Sequence, residues 1–465
     1  MALVIRVAPL GAGLLAGLFL LALVTQAYSR DGTLRVRPMV RLLLIVAMAS
    51  TIAFPREFFD IGVNSVALLM ASILFGLSAP SQGLNVRMLG PYLIFVVPFV
   101  LATVLHMVGG GELDSPERFR ALGIGILGSF LMANYFNSMA DLKLLFSLML
   151  PVLVFGALLS IVQAATGQSY LVGEIYSRSG QEVLIAFGFG SSNVLHAMSM
   201  MAGLAIAGYF YLTVRRMKWL FLLTAALMIG GLVISSSQAA WGGAVVMVAV
   251  LMILAGGGAK LRAVLMLVAV VGLTVLLMFR FESSGAFSPL SGLVRERSSA
   301  AVSVRTDNQN DRFYMLGGSL SGRLEYWSEA RRLYGTSPVW GVGFSEFRVR
   351  SQFGAETHNL YLSWLTETGI LGFSGFMLMF WIVFARAARV SRGMTLDDRL
   401  ALNLLVALLA GYLFVGLFWH IEVNRLFWLT FGLLGGMTGH AVLAAKSVQR
   451  PTWPKLTRPE MGSNS

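Results

Sequence analysis

The sequence contains no cysteine and few charged residues of either sign. Its 465 residues include no Cys and only five His, and Asp, Glu, Lys and Arg together make up 12%. The absence of cysteine excludes a disulfide framework, a thiolate metal site and a cysteine nucleophile. Any reactive group must therefore come from another residue type.

Cofactor-binding motifs are also missing. There is no Gly-x-x-x-x-Gly-Lys phosphate loop and no dinucleotide fingerprint, so neither ATP nor NAD is indicated. Asp397 and Asp398 are adjacent but stand beside Arg399, and no Asp-x-Asp pair or Glu/His cluster accompanies the polar segment 281–357. A metal-dependent mechanism is therefore disfavoured, and no cofactor is expected.

What the chain has instead is apolar sequence. Hydrophobic residues make up 57% and the mean hydropathy is +0.76, which excludes an ordinary soluble domain. Apolar runs of about twenty residues can each cross a bilayer core of roughly 30 Å. We therefore predict an all-α fold, a polytopic transmembrane helix bundle of about 12–13 spans. The predicted spans lie near 8–28, 39–54, 62–79, 88–109, 119–139, 143–165, 189–213, 218–236, 239–257, 261–280, 359–385, 399–419 and 426–445.

Basic residues are distributed unevenly between the connections of these spans. Nineteen Lys and Arg residues fall in one set of alternate connections and the C-terminal tail. The short connections of the other set, without the long segment 281–357, hold only five: Arg56, Arg118, Arg120, Arg178 and Arg425. The positive-inside rule puts the first set in the cytoplasm. The N-terminus and the segment 281–357 are then outside, and the C-terminal tail is inside. Topology thus explains most of the net charge of +13 without a nucleic-acid partner.

One connection is much longer than the others. The polar segment Phe281–Thr357 separates an N-terminal bundle of about ten spans, 1–280, from the C-terminal spans, 358–445, and a tail follows at 446–465. A membrane protein with many short connections and one long one has usually placed its chemistry in the long one. This organisation favours an enzyme on a helical scaffold, with 281–357 as its catalytic loop, over a simple pore.

Residues 321–334 predict a short amphipathic helix in this loop. Ser321 suits the N-cap position, and Glu329 and Arg332 are three residues apart and can pair. Four residues fall on one face at helical spacing: Leu324, Trp327, Ala330 and Tyr334. Such a helix beside a bilayer lies in the interface, with Trp327 as its anchor.

His358 is the sharpest candidate for acid–base chemistry. Thr357 suits the N-cap position, which predicts His358 as the first residue of the next membrane helix, at the outer surface. The positive end of a helix lowers a histidine pKa, which favours the proton-accepting form, and the free N–H groups there suit a phosphate. A transferase with a phosphate leaving group needs both. The alternative is an interfacial histidine that only caps and packs.

Arginines supply candidate anion contacts. Arg323, with Trp327 one turn further on, can bind phosphate bidentately, and Arg348 and Arg350 are candidates for a pyrophosphate clamp. For each of these arginines the alternative is a solvated surface residue.

Two further ionisable residues are interpreted as structural. Arg178 and the run 188–193 form a polar start to the seventh span, and His196 lies a turn deeper. Glu367 lies inside a span, nine residues after His358 and off its helix face, so it is interpreted as a structural partner within the bundle.

Three runs in the C-terminal half resemble the signature of the O-antigen ligase and O-antigen polymerase superfamily. They are Gly341-Val342-Gly343-Phe344, Thr357-His358-Asn359-Leu360-Tyr361-Leu362 and Glu367-Thr368-Gly369-Ile370-Leu371-Gly372. Ser321-Gly322-Arg323, with Trp327 and Ala330, is similar to the helix that precedes this signature in the family. The run 188–193 is similar to the family's Gly-rich start of a middle span. The resemblance covers roughly 178–440 and is specific around 321–372.

This resemblance implies a multi-pass glycosyltransferase of the bacterial inner (cytoplasmic) membrane with a periplasmic active face. Such enzymes take a glycan from undecaprenyl pyrophosphate and transfer it, with inversion, to a sugar hydroxyl without a metal or a nucleotide. By this likeness His358 activates the acceptor hydroxyl and Arg323 holds the pyrophosphate. The residues assigned to substrate binding are Arg178, Asn193, Gln238, Trp327, Arg348, Arg350, Asn359 and Tyr361.

One position departs from the family pattern. The family often has Ser-Arg-Gly at the outer end of a middle span, with its Arg also on the pyrophosphate, where this sequence has Ser237-Gln238-Ala239. Glutamine donates a hydrogen bond but carries no charge. Either another arginine substitutes (Arg178, Arg280 or Arg348), or the donor is handled differently, or the usual reaction is lost. The extra span before the long loop is a milder departure.

Several alternatives stay open. The acceptor is a lipid A-core sugar in a ligase, the next carrier-linked repeat unit in a polymerase for O-antigen or exopolysaccharide, or a protein hydroxyl. From other classes, a lipid-linked glycan transporter or flippase is disfavoured because there are few embedded charges and no repeats, and a non-catalytic assembly subunit is favoured mainly by Gln238. Expected partners are the carrier-linked donor, the glycan or lipid A-core acceptor, membrane lipids and polysaccharide assembly proteins.

Overall fold

The computed structural model describes residues 36–53, 63–82, 86–108, 116–166, 173–178, 181–186, 193–235, 237–254 and 320–448. The predicted spans 8–28 and 261–280, the loop residues 281–319 with Arg280 before them, and the tail beyond residue 448 lie outside the described residues.

Helices occupy all eleven predicted spans that fall in the described part of the chain, and the all-α class is confirmed. The N-terminal helices are α1 (Val36–Ala53), α2 (Val63–Gln82), α3 (Val86–Val108), α4 (Pro116–Tyr135), α5 (Met139–Thr166), α6 (Asn193–Thr213), α7 (Lys218–Ile234) and α8 (Gln238–Leu254). The C-terminal helices are α9 (Leu320–Thr336), α10 (Phe347–Arg350), α11 (Leu360–Val390), α12 (Leu396–Val415) and α13 (Arg425–Val448), with 3-10 turns at Ser391–Gly393 and Ile421–Val423.

The connection between α5 and α6 contains a short antiparallel hairpin that the sequence did not predict. Strand β1 (Gly173–Arg178) pairs with β2 (Gln181–Ala186), with Gly173 opposite Ala186 and Arg178 opposite Gln181. The predicted spans 143–165 and 189–213 leave a connection between them that is longer than a turn needs. Backbone hydrogen bonds between the two strands give part of that length a local structure of its own.

Five helices in the described part of the chain are long and apolar enough to cross a membrane. They are Leu89–Val108, Met139–Ala164, Asn193–Thr213, Leu360–Gly393 and Leu396–Val415. Helices α7 and α8 are also apolar but have only 17 residues each. The chain is therefore a multi-pass helical bundle, as the apolar runs predicted.

Glycines set the closest helix crossings. Gly243 of α8 lies against Gly411 of α12, where an added Cβ on Gly243 would come within 2.7 Å of the Gly411 carbonyl oxygen. An added Cβ on Gly436 of α13 would likewise come within 2.7 Å of the carbonyl oxygen of Ala133 in α4. Small residues at such crossings let backbones approach closely, which is how helices gain packing energy where lipid replaces water.

Charged residues collect at opposite ends of the bundle. At one end Arg41 pairs with Asp141 at 2.6 Å and Lys143 with Asp398 at 3.2 Å. Because α4 runs from that end to the other, Arg118 near its start belongs to the opposite end. That opposite end also holds the start of α11, and with it His358.

Candidate active site

The helix below His358 is broken at Gly369. This residue has φ 64° and ψ −172° inside α11, which divides the helix into 360–368 and 370–390. The segment 338–343 fills the break. Val342 N–H donates to the Thr366 carbonyl at 2.9 Å and Gly343 N–H to the Glu367 carbonyl at 3.0 Å. Ile370 N–H in turn donates to the Pro338 carbonyl at 2.9 Å.

This break explains why the glycines of both sequence runs are needed. A side chain on Gly369 would collide with the backbone of Val339, and one on Gly341 with the backbone of Glu367. Both residues also have φ in the left-handed region, which favours glycine. The two runs 341–344 and 367–372 are therefore the two sides of one backbone contact that closes a helix break, a device tolerated in membranes only where the freed groups are paired.

Phe344 links this contact to the core beneath the site. Its ring lies 5.6 Å from the ring of Trp364, and Trp364 stacks on Phe376 at 4.9 Å. Both Trp364 and Phe376 are buried. The aromatic layer supports the half-helix 360–368 and so holds the residues before it in place.

The segment before α11 corrects one prediction. Asn359, not Thr357, is the N-cap, and its Oδ1 accepts the N–H groups of Tyr361 at 3.0 Å and Leu362 at 2.9 Å. Thr357 instead closes the preceding turn, where its Oγ1 accepts Asn359 N–H at 3.2 Å. The run Thr357-His358-Asn359 offers two residues that can cap, and the helix begins after the second. His358 therefore lies outside the helix, with φ 50°.

The predicted anion site at this helix start is also wrong. Leu360 N–H donates to the Gly416 carbonyl at 2.7 Å, and the next two N–H groups are bound by Asn359. None of these three donors remains for a phosphate. An anion near His358 must therefore be bound by side chains.

His358 sits among rings from three other parts of the chain. Its ring centroid lies 6.1 Å from Tyr326, 5.2 Å from Trp419 and 5.8 Å from His420. Its Nδ1 is buried and has no hydrogen-bond partner within the described residues, although the side chain is partly exposed. Burial, His420 and the positive charge of Arg323 together lower the pKa of His358 to about 4. The imidazole is therefore neutral near pH 7 and can accept a proton.

Arg323 is brought to the same place by α9. Its guanidinium lies over the ring of Phe418, 5.8 Å from the centroid, and its charge acts on His358. Trp327, one turn further on, is partly buried. His358, the predicted base, and Arg323, the predicted anion contact, thus come from separate elements and meet at one end of the bundle.

Helix α9 confirms the predicted amphipathic helix but not its predicted face. The helix begins at Leu320, so Ser321 is not its N-cap, and Leu324 is 53% exposed. The face that packs on the protein carries Tyr326, Glu329, Ala330 and Leu333. Thr366 Oγ1 donates to the Ala330 carbonyl at 3.1 Å and ties this face to α11.

The predicted pair in α9 is confirmed. Arg332 binds both carboxylate oxygens of Glu329, each at 2.8 Å. The Glu329 carboxylate also accepts Gln352 N–H at 3.3 Å, so it joins α9 to the loop after α10.

The other predicted contacts have mainly structural partners. Arg348 Nε donates to the Gly354 carbonyl at 3.3 Å, and Arg350 Nε pairs with Glu346 at 3.2 Å. Asn359 Nδ2 donates to the Leu417 carbonyl at 3.0 Å, and the Tyr361 hydroxyl to the Leu413 carbonyl at 2.8 Å. These residues shape the site or its neighbouring loops, and their described contacts do not include His358.

Three remaining positions lie at element ends. Asn193 begins α6, and Gln238 begins α8 with an exposed side chain. Arg178 ends β1, and its side chain is outside what the structure describes. His196 is buried in α6, in agreement with its interpretation as structural.

An ion network around Arg118 is the main feature that the sequence did not reveal. Arg118 in α4 binds Glu356 and Glu367 at 3.1 Å each and Glu422 at 2.6 Å. Glu367 is 1% exposed and Glu422 is fully buried, so the expectation that Glu367 is a structural partner is confirmed. One sequence feature could have pointed to this network. The run Trp419-His420-Ile421-Glu422 places two ionisable residues between two apolar spans.

Comparison with known proteins identifies the region that holds Arg323 and His358. Residues 223–377 match the family model described as O-antigen ligase. The match includes Gln238, Arg323, His358 and Gly369, and it confirms the superfamily resemblance over a narrower range than 178–440. No curated protein matches the chain.

Proposed function

Residues 223–377 belong to the O-antigen ligase family, and from this premise we propose that the chain is a membrane glycosyltransferase for surface polysaccharide. It transfers a glycan from undecaprenyl pyrophosphate to a sugar hydroxyl at the periplasmic side of the bacterial inner membrane. The general activity, that of an O-antigen ligase or polymerase, follows from the family match. The donor, the side and the residue roles are our proposal.

The observation that carries the proposal is the meeting of His358 and Arg323. His358 presents an imidazole with a lowered pKa, and Arg323 is a fixed cation that acts on it. His358 accepts the proton of the acceptor hydroxyl, whose oxygen attacks the anomeric carbon. The bond from that carbon to the diphosphate oxygen breaks, and the diphosphate leaves with the electron pair beside Arg323. Attack opposite the leaving group, and hence inversion, is taken from the family.

The proposed side of the membrane is supported by charge. Arg41, Lys143 and Arg399 lie at the end away from His358, together with further arginines such as Arg37. At the His358 end the described short connections carry few basic residues, namely Arg118, Arg120 and Arg425. The positive-inside rule then favours the His358 end as the periplasmic one.

Gln238 distinguishes this chain from the family pattern. Its side chain is exposed at the start of α8 and can offer a hydrogen bond without charge. Arg348 and Arg350 are both exposed, and we propose them as candidates for a second diphosphate contact. We retain Arg178, Asn193 and Trp327 as proposed substrate contacts, since helix α9 lies within the matched region 223–377 and the polar start of α6 precedes it.

A complementation experiment tests the proposal. A deletion strain receives wild type, His358→Ala or Arg323→Ala, membrane levels are checked, and surface polysaccharide is separated on a gel. We expect wild type to restore long glycan and both variants to fail, since general-base catalysis contributes about 10²–10⁴-fold. A core capped by one unit in the deletion strain indicates a polymerase, and bare core with carrier-linked polymer indicates a ligase.

Arg331→Ala is the matched control. Arg331 is an exposed arginine on the same helix as Arg323, and its replacement should leave the glycan unchanged. Full complementation by His358→Ala at normal membrane levels would contradict the proposal and favour a transporter or an assembly subunit. Turnover of a carrier-linked donor by purified protein would exclude both of those alternatives.

A further inference from the structure

The loop between α12 and α13 faces His358 but has no role in the transfer described so far. Trp419 lies 5.2 Å from His358 and stacks on His420 at 4.7 Å with an interplanar angle of 20°. His420 is itself 5.8 Å from His358. These three residues, His358, Trp419 and His420, form one group of neighbouring rings, which we name the ring cluster.

The surroundings of the ring cluster differ in charge from one side to the other. Arg323 lies on one side, over Phe418 at the start of the same loop. Glu422 follows His420 by two residues, its charge acts on the His420 ring, and it belongs to the Arg118 network. One guanidinium faces three acidic side chains in that network, so negative charge is in excess there. A diphosphate is attracted to the Arg323 side and repelled from the Glu422 side.

The ring cluster also offers polar atoms that the described protein does not use. Nδ1 of His420 and Nδ1 of His358 are both buried, and neither has a hydrogen-bond partner within the described residues. Buried polar atoms are normally paired, so atoms of this kind require an explanation such as a ligand or a water molecule. Burial lowers the pKa of His420, so its ring is neutral and has one donor and one acceptor.

Besides hydrogen-bonding groups, a sugar site needs an apolar ring face, and Trp419 supplies one. Its ring is partly exposed beside two imidazoles. An indole ring offers a large rigid apolar face and an N–H donor at its edge. A neutral ligand with an apolar face and several hydroxyls matches this combination of ring face and neutral imidazoles, whereas a diphosphate does not.

We propose that Trp419 and His420 form the acceptor subsite, in which Trp419 packs against the face of an uncharged acceptor sugar and His420 hydrogen-bonds one of its hydroxyls. The neighbouring hydroxyl then meets His358, while the donor diphosphate occupies the Arg323 side. This inference rests on the proposed function and adds the place and chemical class of the second substrate.

Glu422 acts as a positioning residue for this subsite. Its carboxylate is held by Arg118 at 2.6 Å, and its carbonyl accepts the Trp428 Nε1–H at 2.6 Å. Both contacts fix the short turn Ile421–Val423 against α4 and α13. The loop that carries Trp419 and His420 is therefore fastened on the side away from Arg323.

Steady-state kinetics of the full-length protein in lipid nanodiscs tests the subsite. The donor is an isotopically labelled carrier-linked glycan fraction from the deletion strain. The acceptor is that strain's rough lipopolysaccharide or its unlabelled short carrier-linked glycan, whichever the wild type uses. We expect Trp419→Leu and His420→Ala each to raise the acceptor KM about tenfold, with the donor KM little changed. Arg323→Ala should instead raise the donor KM and leave the acceptor KM little changed.

Conservative variants separate binding from folding. His420→Gln keeps a neutral hydrogen-bonding group and Trp419→Phe keeps a ring face, so both should recover most of the acceptor affinity. Trp219→Ala, which removes a tryptophan that is 67% exposed in α7, is the control and should behave as wild type.

The outcomes distinguish this inference from the function on which it rests. An unchanged acceptor KM in Trp419→Leu and His420→Ala, with His358→Ala inactive, overturns the subsite and leaves the transferase standing. A raised donor KM in place of the acceptor KM likewise overturns it. Transfer by wild type to neither acceptor, or full activity of His358→Ala, overturns the proposed function and the subsite together.

Discussion

At the scale of single residues, His358 allows a test of how its neighbours control a proton. Burial, His420 and Arg323 lower its pKa from 6.5 to about 4. A lower pKa means that the neutral, proton-accepting form persists to a lower pH. We therefore expect the acid limb of kcat/KM, measured with a carrier-linked donor, near pH 4 in wild type. Arg323→Gln removes one unfavourable charge and should move the limb of its residual activity towards 6.5.

The control for this titration is Arg331→Gln, which removes an exposed arginine from the same helix and should leave the limb in place. A wild-type limb near 6.5 that Arg323→Gln does not move would show that His358 titrates as a solvated histidine. In that case the contacts with His420 and Arg323 do not govern its proton.

Arg118 predicts an order of stability among its variants. Arg118→Met leaves three carboxylates around an uncharged side chain, and removal of one partner from a buried ion network costs about 3–5 kcal/mol. Glu356→Gln should cost less than Arg118→Met, because the Glu356 side chain is the most exposed of the three, at 20%, and glutamine keeps an oxygen that accepts a hydrogen bond. Thermal unfolding of the detergent-solubilised protein measures both. Equal losses for the two variants would contradict the network as the source of stability.

At the scale of elements, the break in α11 makes its own prediction. Gly369→Ala forces a side chain into the Val339 backbone at a positive φ, so we expect lower membrane levels and a lower melting temperature. Gly335→Ala in α9 is the matched control, because an added Cβ there meets nothing within 4 Å and alanine favours a helix. A Gly369→Ala protein as stable as Gly335→Ala would show that the helix is continuous.

Local pattern predicted these elements well and their junctions poorly. The apolar runs predicted α1 to α8 and α11 to α13 because helix formation across a membrane depends on local length and hydropathy. The N-cap at Asn359 was missed because Thr357 offers the same chemistry two residues earlier. The break at Gly369 was missed because it needs the backbone of 338–343 to pair with it.

Part of the candidate site could not be predicted because it depends on contacts between residues that are far apart in the sequence. His358 and Arg323 could be singled out from their residue types and from the resemblance. The Arg118 network could not, since its partners Glu356, Glu367 and Glu422 are 238, 249 and 304 residues away along the chain. The ring cluster was missed for the same reason, because Trp419 and His420 meet His358 only after α11 and α12 have packed.

At the scale of the whole molecule, the absence of cysteine makes topology directly measurable. Arg331→Cys in α9 and Arg392→Cys in the turn after α11 each introduce a single thiol at an exposed position. We expect a membrane-impermeant maleimide to label Arg331→Cys once the outer membrane is opened, and Arg392→Cys only after the inner membrane is permeabilised. The reverse pattern would place the His358 end in the cytoplasm.

The position of the break in α11 also sets the depth of the site. At about 1.5 Å per residue, an unbroken helix over 360–390 would be about 46 Å long, well beyond a hydrocarbon core of roughly 30 Å. The part after Gly369, residues 370–390, measures about 31 Å and matches that thickness. We therefore expect Gly369 to lie near the edge of the hydrocarbon core. The nine residues before it would then hold His358 at the level of the lipid headgroups, where the phosphates of the proposed polyprenyl carrier would lie.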